Sequence, residues 1–251
     1  MDRTRAEVHF HLLPGVDDGP AELADSIGLA RAALADGTGT VVATPHVRSE
    51  FVTDPLTLRE LVREVRTGLA AAGVPLEVRC GGELGHDMIG RLRQEELEAV
   101  AQGPPGARWL LVEAPFHGLD DDFHAATAEL RDRGFGVVIA HPERSADALL
   151  DGFAGLRREL AAGALAQVNT MSVLGLHGED VERAALRLVV AGQAAVVSSD
   201  AHGPTRPPAL GRTEQALLDR GLGTLLARGL TRSAPRRLLA RGVPAAAPVA
   251  A

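Results

Sequence analysis

Two short stretches carry residue types suited to metal chemistry. In Glu7-Val8-His9-Phe10-His11 two imidazoles stand two residues apart on a short apolar segment. Ser198-Ser199-Asp200-Ala201-His202-Gly203, after the run Ala194-Ala195-Val196-Val197, offers a carboxylate and an imidazole at the same interval. Side chains two apart on extended backbone point the same way, so Asp200 and His202 are expected to face one ion. The turn-rich Leu13-Pro14-Gly15-Val16-Asp17-Asp18-Gly19 follows the first stretch, and the two halves read as parts of one metal centre.

The same residue types recur after other apolar runs. His46 follows Thr40-Val41-Val42-Ala43, Glu83 follows Leu76-Glu77-Val78-Arg79-Cys80, Glu113 follows Trp109-Leu110-Leu111-Val112, and His141 follows Gly136-Val137-Val138-Ile139-Ala140. A lone histidine at a strand end is usually a hydrogen-bonded structural residue. A chance scatter of nine histidines would not favour one rim, however, so the joint pattern is the signal. Imidazoles and carboxylates without cysteine suit Zn²⁺, Mn²⁺ or Fe²⁺ rather than a structural zinc knot. The donors exceed the needs of one ion, which implies two or three ions sharing bridging carboxylates.

Such ions acidify a bound water and hold the attacked and leaving oxygens, and hydrolysis of a phosphate ester fits this best. Arg144, three residues after His141, and Arg206, four after His202, supply the positive charge that phosphate oxygens need. Away from those neighbours, either would read as a solvated loop arginine. No Ser-His-Asp elbow or phosphate loop competes. Cys80 lacks the spacer and arginine of a cysteine phosphatase, since Arg79 precedes it and position 86 is histidine. His86 and His177, beside rim positions, and His124, on a helix, read as substrate-lining or solvated. Glu7 and Asn169 read as structural or as orienting ligands through hydrogen bonds.

The elements that must position these residues follow from periodicity. Strands are expected at 6–10, 40–43, 76–80, 109–112, 136–140, 165–168 and 193–197. Helices are expected at 21–35, with Leu23, Ile27, Ala30 and Leu34 on one face, and at 55–72, with Leu58, Leu61, Val65 and Leu69 in register. Further helices are expected at 87–100, 120–133, 146–162, 179–191, 213–228 and 231–241. Seven strands alternating with helices predict an α/β barrel one strand short of the common eight, with the polar residues at the C-terminal ends where such barrels hold their sites. An open doubly wound sheet is the alternative.

The 251 residues suffice for one such domain, expected over 1–243, with the Ala/Pro-rich 244–251 expected as a disordered tail. A net charge of −7 argues against a nucleic-acid partner. No apolar run is long enough to span a membrane, and Met1-Asp2-Arg3-Thr4-Arg5 leads into a strand without a signal-peptide core, so a cytoplasmic protein is expected. Cys80 is the sole cysteine and reads as a small buried hydrophobe.

At His9-Phe10-His11-Leu12-Leu13-Pro14-Gly15-Val16-Asp17-Asp18-Gly19, together with Thr44-Pro45-His46, His141-Pro142-Glu143-Arg144 and Ser199-Asp200-Ala201-His202, the chain resembles the PHP (polymerase and histidinol phosphatase) superfamily. Within it the likeness is to the manganese-dependent tyrosine phosphatases of bacterial capsule and exopolysaccharide clusters, the CpsB/CapC/YwqE group, over about residues 6–240. The resemblance implies a distorted seven-stranded (β/α)7 TIM-like barrel, the PHP fold, with three metals, manganese foremost and iron or zinc as alternatives. His9, His11, Glu83 and Asp200 would match one site, and Asp18, His46 and His202 a second. Glu83 as bridge, Glu113 and His141 would match the third, and Arg144 and Arg206 the phosphate-holding arginines. Asp18 is preferred over Asp17 because it directly precedes Gly19. Glu7 stands where the group usually shows aspartate, a longer arm that would loosen any ligand histidine it orients.

The implied activity is removal of phosphate from tyrosines, by analogy on the tail of a kinase that controls polysaccharide export. Two other readings keep the same centre: hydrolysis of a small monoester such as histidinol phosphate, or a non-catalytic, metal-stabilised regulator docked on the kinase. Self-association is left open.

Overall fold

The apolar runs pair as parallel strands because a helix returns the chain to the same end after each one. A computed structural model describes residues 4–150 and 152–245, so most of the expected tail, from 246 on, lies outside the described residues. The strands are β1 (Arg5–Phe10), β2 (Thr38–Ala43), β3 (His46–Val47), β4 (Glu77–Cys80), β5 (Glu83–Leu84), β6 (Trp109–Glu113), β7 (Gly136–Ala140), β8 (Leu165–Asn169) and β9 (Ala194–Ser198). They form two sheets among the described residues, β1-β2-β4 and β3-β5-β6-β7-β8-β9, and every named pairing is parallel.

Two interruptions explain why nine segments stand where seven were expected. Thr44-Pro45 separates β2 from β3, and proline has no N–H to give to a ladder. Gly81-Gly82 separates β4 from β5 at a close backbone approach. A Cβ at Gly81 would lie 2.5 Å from Val42 Cγ1, and one at Gly82 2.9 Å from Val47 Cγ2. The first and last strands are tied at their C-terminal ends. Val8 N–H donates to Ser198 Oγ at 3.0 Å, Asp200 N–H to the His9 carbonyl at 3.1 Å and His11 N–H to the Ala201 carbonyl at 2.9 Å.

The helices are α1 (Leu23–Ala35), α2 (Leu58–Ala71), α3 (His86–Ile89), α4 (Gln94–Val100), α5 (Asp121–Asp132), α6 (Ala146–Leu150), α7 (Ala154–Ala161), α8 (Thr170–Val173), α9 (Glu179–Val190), α10 (Leu210–Asp219), α11 (Thr224–Arg228) and α12 (Ala234–Arg241). Three expected helices are each split in two. The one at 146–162 breaks where Gly152 and Phe153 take left-handed φ of 67° and 70°. In α2 the buried face is Leu58, Val62, Val65 and Leu69. In α1 it is Ser26, Leu29, Ala30 and Ala33, while Leu23 is exposed, because an alanine-rich helix has too little contrast between faces to set its phase.

One core lies under the helices, and a second closes the N-terminal ends of the strands. There Leu238 and Leu239 of α12 and Val243 pack on Val8, Val42, Leu111, Val138 and Val196, and Trp109 Nε1–H donates to the Leu238 carbonyl at 3.3 Å. With that end filled by side chains, the C-terminal ends remain for a site.

Candidate metal centre

His9, on β1, and His11, just past it, aim their Nε2 atoms at each other, 3.2 Å apart. Each ring is held from behind. Gln167 Oε1 accepts from His9 Nδ1 at 2.9 Å, and Asp17 Oδ2 accepts from His11 Nδ1 at 2.7 Å. Bonds on Nδ1 leave Nε2 free as donor atoms. Glu83 Oε2 lies 3.2 Å from His9 Nε2 and 3.3 Å from His11 Nε2. Asp200 Oδ1 lies at the same two distances.

Donor atoms spaced this way sit on the edges of a shell about 2 Å in radius, the usual length of metal–N and metal–O bonds. Glu83 Oε2 and Asp200 Oδ1 are buried and have no hydrogen-bond partner, and neither have His46 Nδ1 and His202 Nε2. Buried polar atoms left without partners and aimed together are what a cation satisfies. The donor set fits divalent ions.

Two further groups adjoin the first. Asp18, His46 and His202, with His11, form the second. Asp18 Oδ1 lies 3.0 Å from His202 Nε2 and 3.6 Å from His46 Nε2, and the His11 and His202 rings stack at 3.7 Å. His46, Glu83 and Glu113 form the third, where His46 Nδ1 is 3.0 Å from Glu83 Oε2 and 3.9 Å from Glu113 Oε2. His141 joins neither carboxylate pair there; its Nε2 lies 3.1 Å from the other oxygen of Glu83, Oε1. His46 and His141 thus approach Glu83 through different oxygens, and His46 is the one that also faces Glu113.

The charges are mutually stabilised. Burial pushes the Glu83 and Asp200 carboxyls up, but the surrounding imidazoles outweigh it and hold both well below the usual carboxylate range. Burial likewise pulls down His9, His11 and His46, and the carboxylates facing them more than restore each. Protons on these imidazoles occupy the field in which a cation would sit.

Asp200 Oδ2 faces the other way. It accepts from Arg206 Nη2 at 2.7 Å, Asn169 Nδ2 at 3.0 Å and Arg144 Nη1 at 3.4 Å. Asp200 takes a φ of 53° and His141 a φ of 36°, left-handed values that non-glycine residues adopt at a cost. This corrects the expectation for the Asp200-x-His202 pair. The alternation of side chains requires extended backbone, and the left-handed turn sends Asp200 to the first group and His202 to the second.

A family model described as capsular polysaccharide synthesis, CpsB/CapC, matches residues 5–240. This chain belongs to the CpsB/CapC family. It is 32% identical over 197 residues to the tyrosine-protein phosphatase YwqE of Bacillus subtilis (strain 168), covering 78% of this chain and 76% of the relative. It is 27% identical over 205 residues to the putative tyrosine-protein phosphatase CapC of Staphylococcus aureus, covering 80% and 78%. Among solved structures, one described with YwqE from Bacillus subtilis and CpsB from Streptococcus pneumoniae as unique metal-dependent tyrosine phosphatases superposes with a TM-score of 0.81 at 29% identity, covering 98% of this chain and all of the other, 100%. A phosphotriesterase homology protein from Escherichia coli gives a TM-score of 0.64 at 12% identity over 94% and 99% of the chains, a likeness of fold alone.

Within this CpsB/CapC chain further side chains have their partners defined by the structure. Asp18 contributes to the second group, whereas Asp17 orients His11 and also accepts from the His46 N–H at 3.0 Å. Gly19 permits that turn, since a Cβ there would lie 3.0 Å from Asp17 Oδ1. Glu7 orients no histidine; its Oε2 accepts from the Ser199 N–H at 2.8 Å. His124 is not solvated but buried, 2.5 Å from Glu159 Oε1. Cys80 is only half-buried. Gln167 and Arg48 were missed. Arg48 Nη1 donates to Glu113 Oε2 at 2.7 Å and stands two residues after His46, the same spacing that marked the other sites.

Proposed function

We propose that this CpsB/CapC protein is a metal-dependent phosphatase that hydrolyses phosphotyrosine on proteins. The observation that carries the reading is the convergence of His9, His11, Glu83 and Asp200 on one position, with two arginines reaching the outer oxygen of the same Asp200. His9, His11, Glu83 and Asp200 hold one ion. Asp18, His46 and His202 hold a second, and Glu83 and Glu113 with His46 or His141 a third. Manganese is the ion we favour, iron or zinc being the alternatives for this oxygen and imidazole set. Bound there, divalent ions acidify water and neutralise phosphate charge.

The chain's own residues do the rest. Arg144 and Arg206 are 20% and 28% exposed, so their guanidinium groups reach solvent and can take up the non-bridging oxygens of a phosphate. Asp17, Gln167 and Asn169 keep the donors in fixed orientations before substrate arrives. A phenolate leaving group, with a pKa of about 10, departs without an acid catalyst.

We read β2 with β3, and β4 with β5, as interrupted single strands, which with the ties between β1 and β9 makes one distorted seven-stranded (β/α)7 barrel among the described residues up to 243. The substrate we favour is a tyrosine kinase of capsule or exopolysaccharide synthesis, met in the cytoplasm without nucleic acid or membrane insertion. No helix among the described residues is long and apolar enough to cross a membrane.

Comparison of metal-loaded protein on phosphotyrosine peptides and on histidinol phosphate tests the reading. Turnover of the peptides well above the small monoester supports it. Turnover confined to histidinol phosphate, or metal binding with no turnover of either, overturns it.

A further inference from the structure

The chain has six phenylalanines, one tryptophan and no tyrosine. Phe10, Phe123, Phe135, Phe153 and Trp109 are all buried. Phe51 and Phe116 are 42% and 59% exposed. Water contact forgoes the burial that the other aromatic rings obtain, and both exposed rings lie against residues of the centre. Phe51 stacks on His46, with centroids 5.4 Å apart and planes 19° apart. The Arg144 guanidinium carbon lies 5.0 Å from the centre of the Phe116 ring.

Their places in the fold are complementary. Phe51 follows β3 and Phe116 follows β6, and β5, which carries Glu83, lies between those two strands in the sheet. Phe51 thus packs on His46 of the group His46, Glu83 and Glu113, and Phe116 follows Glu113 of the same group by three residues. Each ring has one part engaged by a site residue and another open to solvent.

We propose that Phe51 and Phe116 are the walls that receive the phenyl ring of the substrate, and that they make the site select aryl over alkyl phosphate esters. The inference rests on the phosphatase reading above and adds the origin of its substrate preference. Aromatic pairs engage by offset stacking or edge to face, with centroids about 4.5–7 Å apart, and two exposed rings at the mouth allow both contacts at once. A serine or glycerol phosphate offers neither ring nor rigid apolar body. Arg144 joins the two recognitions, since the guanidinium that takes phosphate oxygens is steadied over the ring that takes the phenyl group.

The test uses metal-loaded, full-length protein and the variants Phe51→Ala, Phe116→Ala and the double substitution, with Phe51→Tyr and Phe116→Tyr as conservative counterparts. Calorimetric binding of phenylphosphonate and methylphosphonate separates the ring contribution from that of the phosphate site. Wild type should bind phenylphosphonate more tightly. Each alanine variant should weaken phenylphosphonate by about three- to ten-fold, with methylphosphonate changed by less than about two-fold and the tyrosine variants close to wild type.

Equal weakening of both ligands would mean that the rings serve only to hold His46 and Arg144, and it overturns the proposal. So does an alanine variant that leaves phenylphosphonate binding intact. A wild type that prefers phenylphosphonate yet releases no phosphate from phosphotyrosine peptides would defeat the phosphatase reading while leaving the aryl walls in place.

Discussion

Arg206 donates from Nη2 to Asp200 Oδ2 at 2.7 Å, while Oδ1 of the same carboxylate lies 3.2 Å from His9 Nε2. One carboxylate thus joins the group that would hold phosphate to the group that would hold an ion. Arg206 also donates from Nη1 to Asp18 Oδ2 at 3.2 Å, so it touches two of the three groups. Arg206→Ala should lower kcat by about 100-fold, the scale of a lost charge-stabilising donor, with metal content unchanged. Arg206→Lys should recover only part of this, because an ammonium cannot grip two oxygens at once. Steady-state kinetics beside metal analysis checks both; loss of bound metal in Arg206→Ala would instead make the arginine a support of the centre.

Asp17 acts through His11. Its Oδ2 accepts from His11 Nδ1 at 2.7 Å and from the His46 N–H at 3.0 Å, so one carboxylate fixes a ligand ring and the backbone of another ligand. Asp17→Ala should weaken metal binding by about 10–100-fold, and Gln167→Ala, which frees His9 Nδ1, by a smaller factor in the same direction. Titration of stripped protein with Mn²⁺ measures the change; unaltered affinity in both would remove these residues from the account.

Glu7 gives the fold a pH dependence of known sign. Burial raises its pKa from 4.5 to about 8, against the hydrogen bonds it accepts from Ser199. Folded protein therefore keeps a proton on Glu7 that the unfolded chain releases above about pH 4.5. The stability tied to that proton is full below the unfolded pKa and is lost as pH rises through about 8. At about 1.4 kcal/mol per pKa unit the loss amounts to several kcal/mol. Glu7→Gln keeps an acceptor for the Ser199 N–H without the charge, so its thermal midpoint should fall less with rising pH and exceed that of wild type in alkaline buffer. Parallel profiles would contradict this.

Metal removal should destabilise the protein and take up protons. Once ions leave, like-charged Glu83 and Asp200 are compensated on their converging oxygens by the surrounding imidazoles, with Arg144 and Arg206 on the outer oxygen of Asp200. Saturation at about 100 times Kd contributes about 2.7 kcal/mol to stability, so chelation should lower the melting temperature by several degrees. Addition of Mn²⁺ to stripped protein in weak buffer should release protons from His9, His11 and His46. Calorimetry in buffers of different ionisation enthalpy reads that release directly; none would mean that the imidazoles are not the ligands.

Much of the centre was legible because a β/α chain ends each strand at the same rim, so a polar residue after an apolar run is already placed. His9, His11, His46, Glu83, Glu113, His141, Asp200 and His202 all reach that rim by this rule. Side-chain alternation is what fails where backbone leaves the extended region, and Asp200 at φ 53° shows it, with Asp200 and His202 in different groups. Asp17 and Asp18 are adjacent carboxylates, and only three-dimensional distances separate the orienting one from the converging one. Gln167 was readable in principle, as an amide between Ala166 and Val168 in the middle of the strand Leu165–Asn169, since a buried polar side chain needs a partner. Strand breaks at Thr44-Pro45 and Gly81-Gly82 left no trace in periodicity, because segments of two residues carry no period.

The measurement that bears most directly on the account is phosphate release from a phosphotyrosine peptide by metal-stripped protein, titrated in turn with Mn²⁺, Fe²⁺, Zn²⁺ and Mg²⁺, beside Glu83→Ala. Glu83 belongs to two of the three donor groups, so its loss should empty the centre while the fold, measured by circular dichroism, persists. The account predicts that activity returns in step with bound metal, most with Mn²⁺, and that Glu83→Ala stays inactive at every concentration. Phosphate release by stripped protein, or by Glu83→Ala at the wild-type rate, would contradict it.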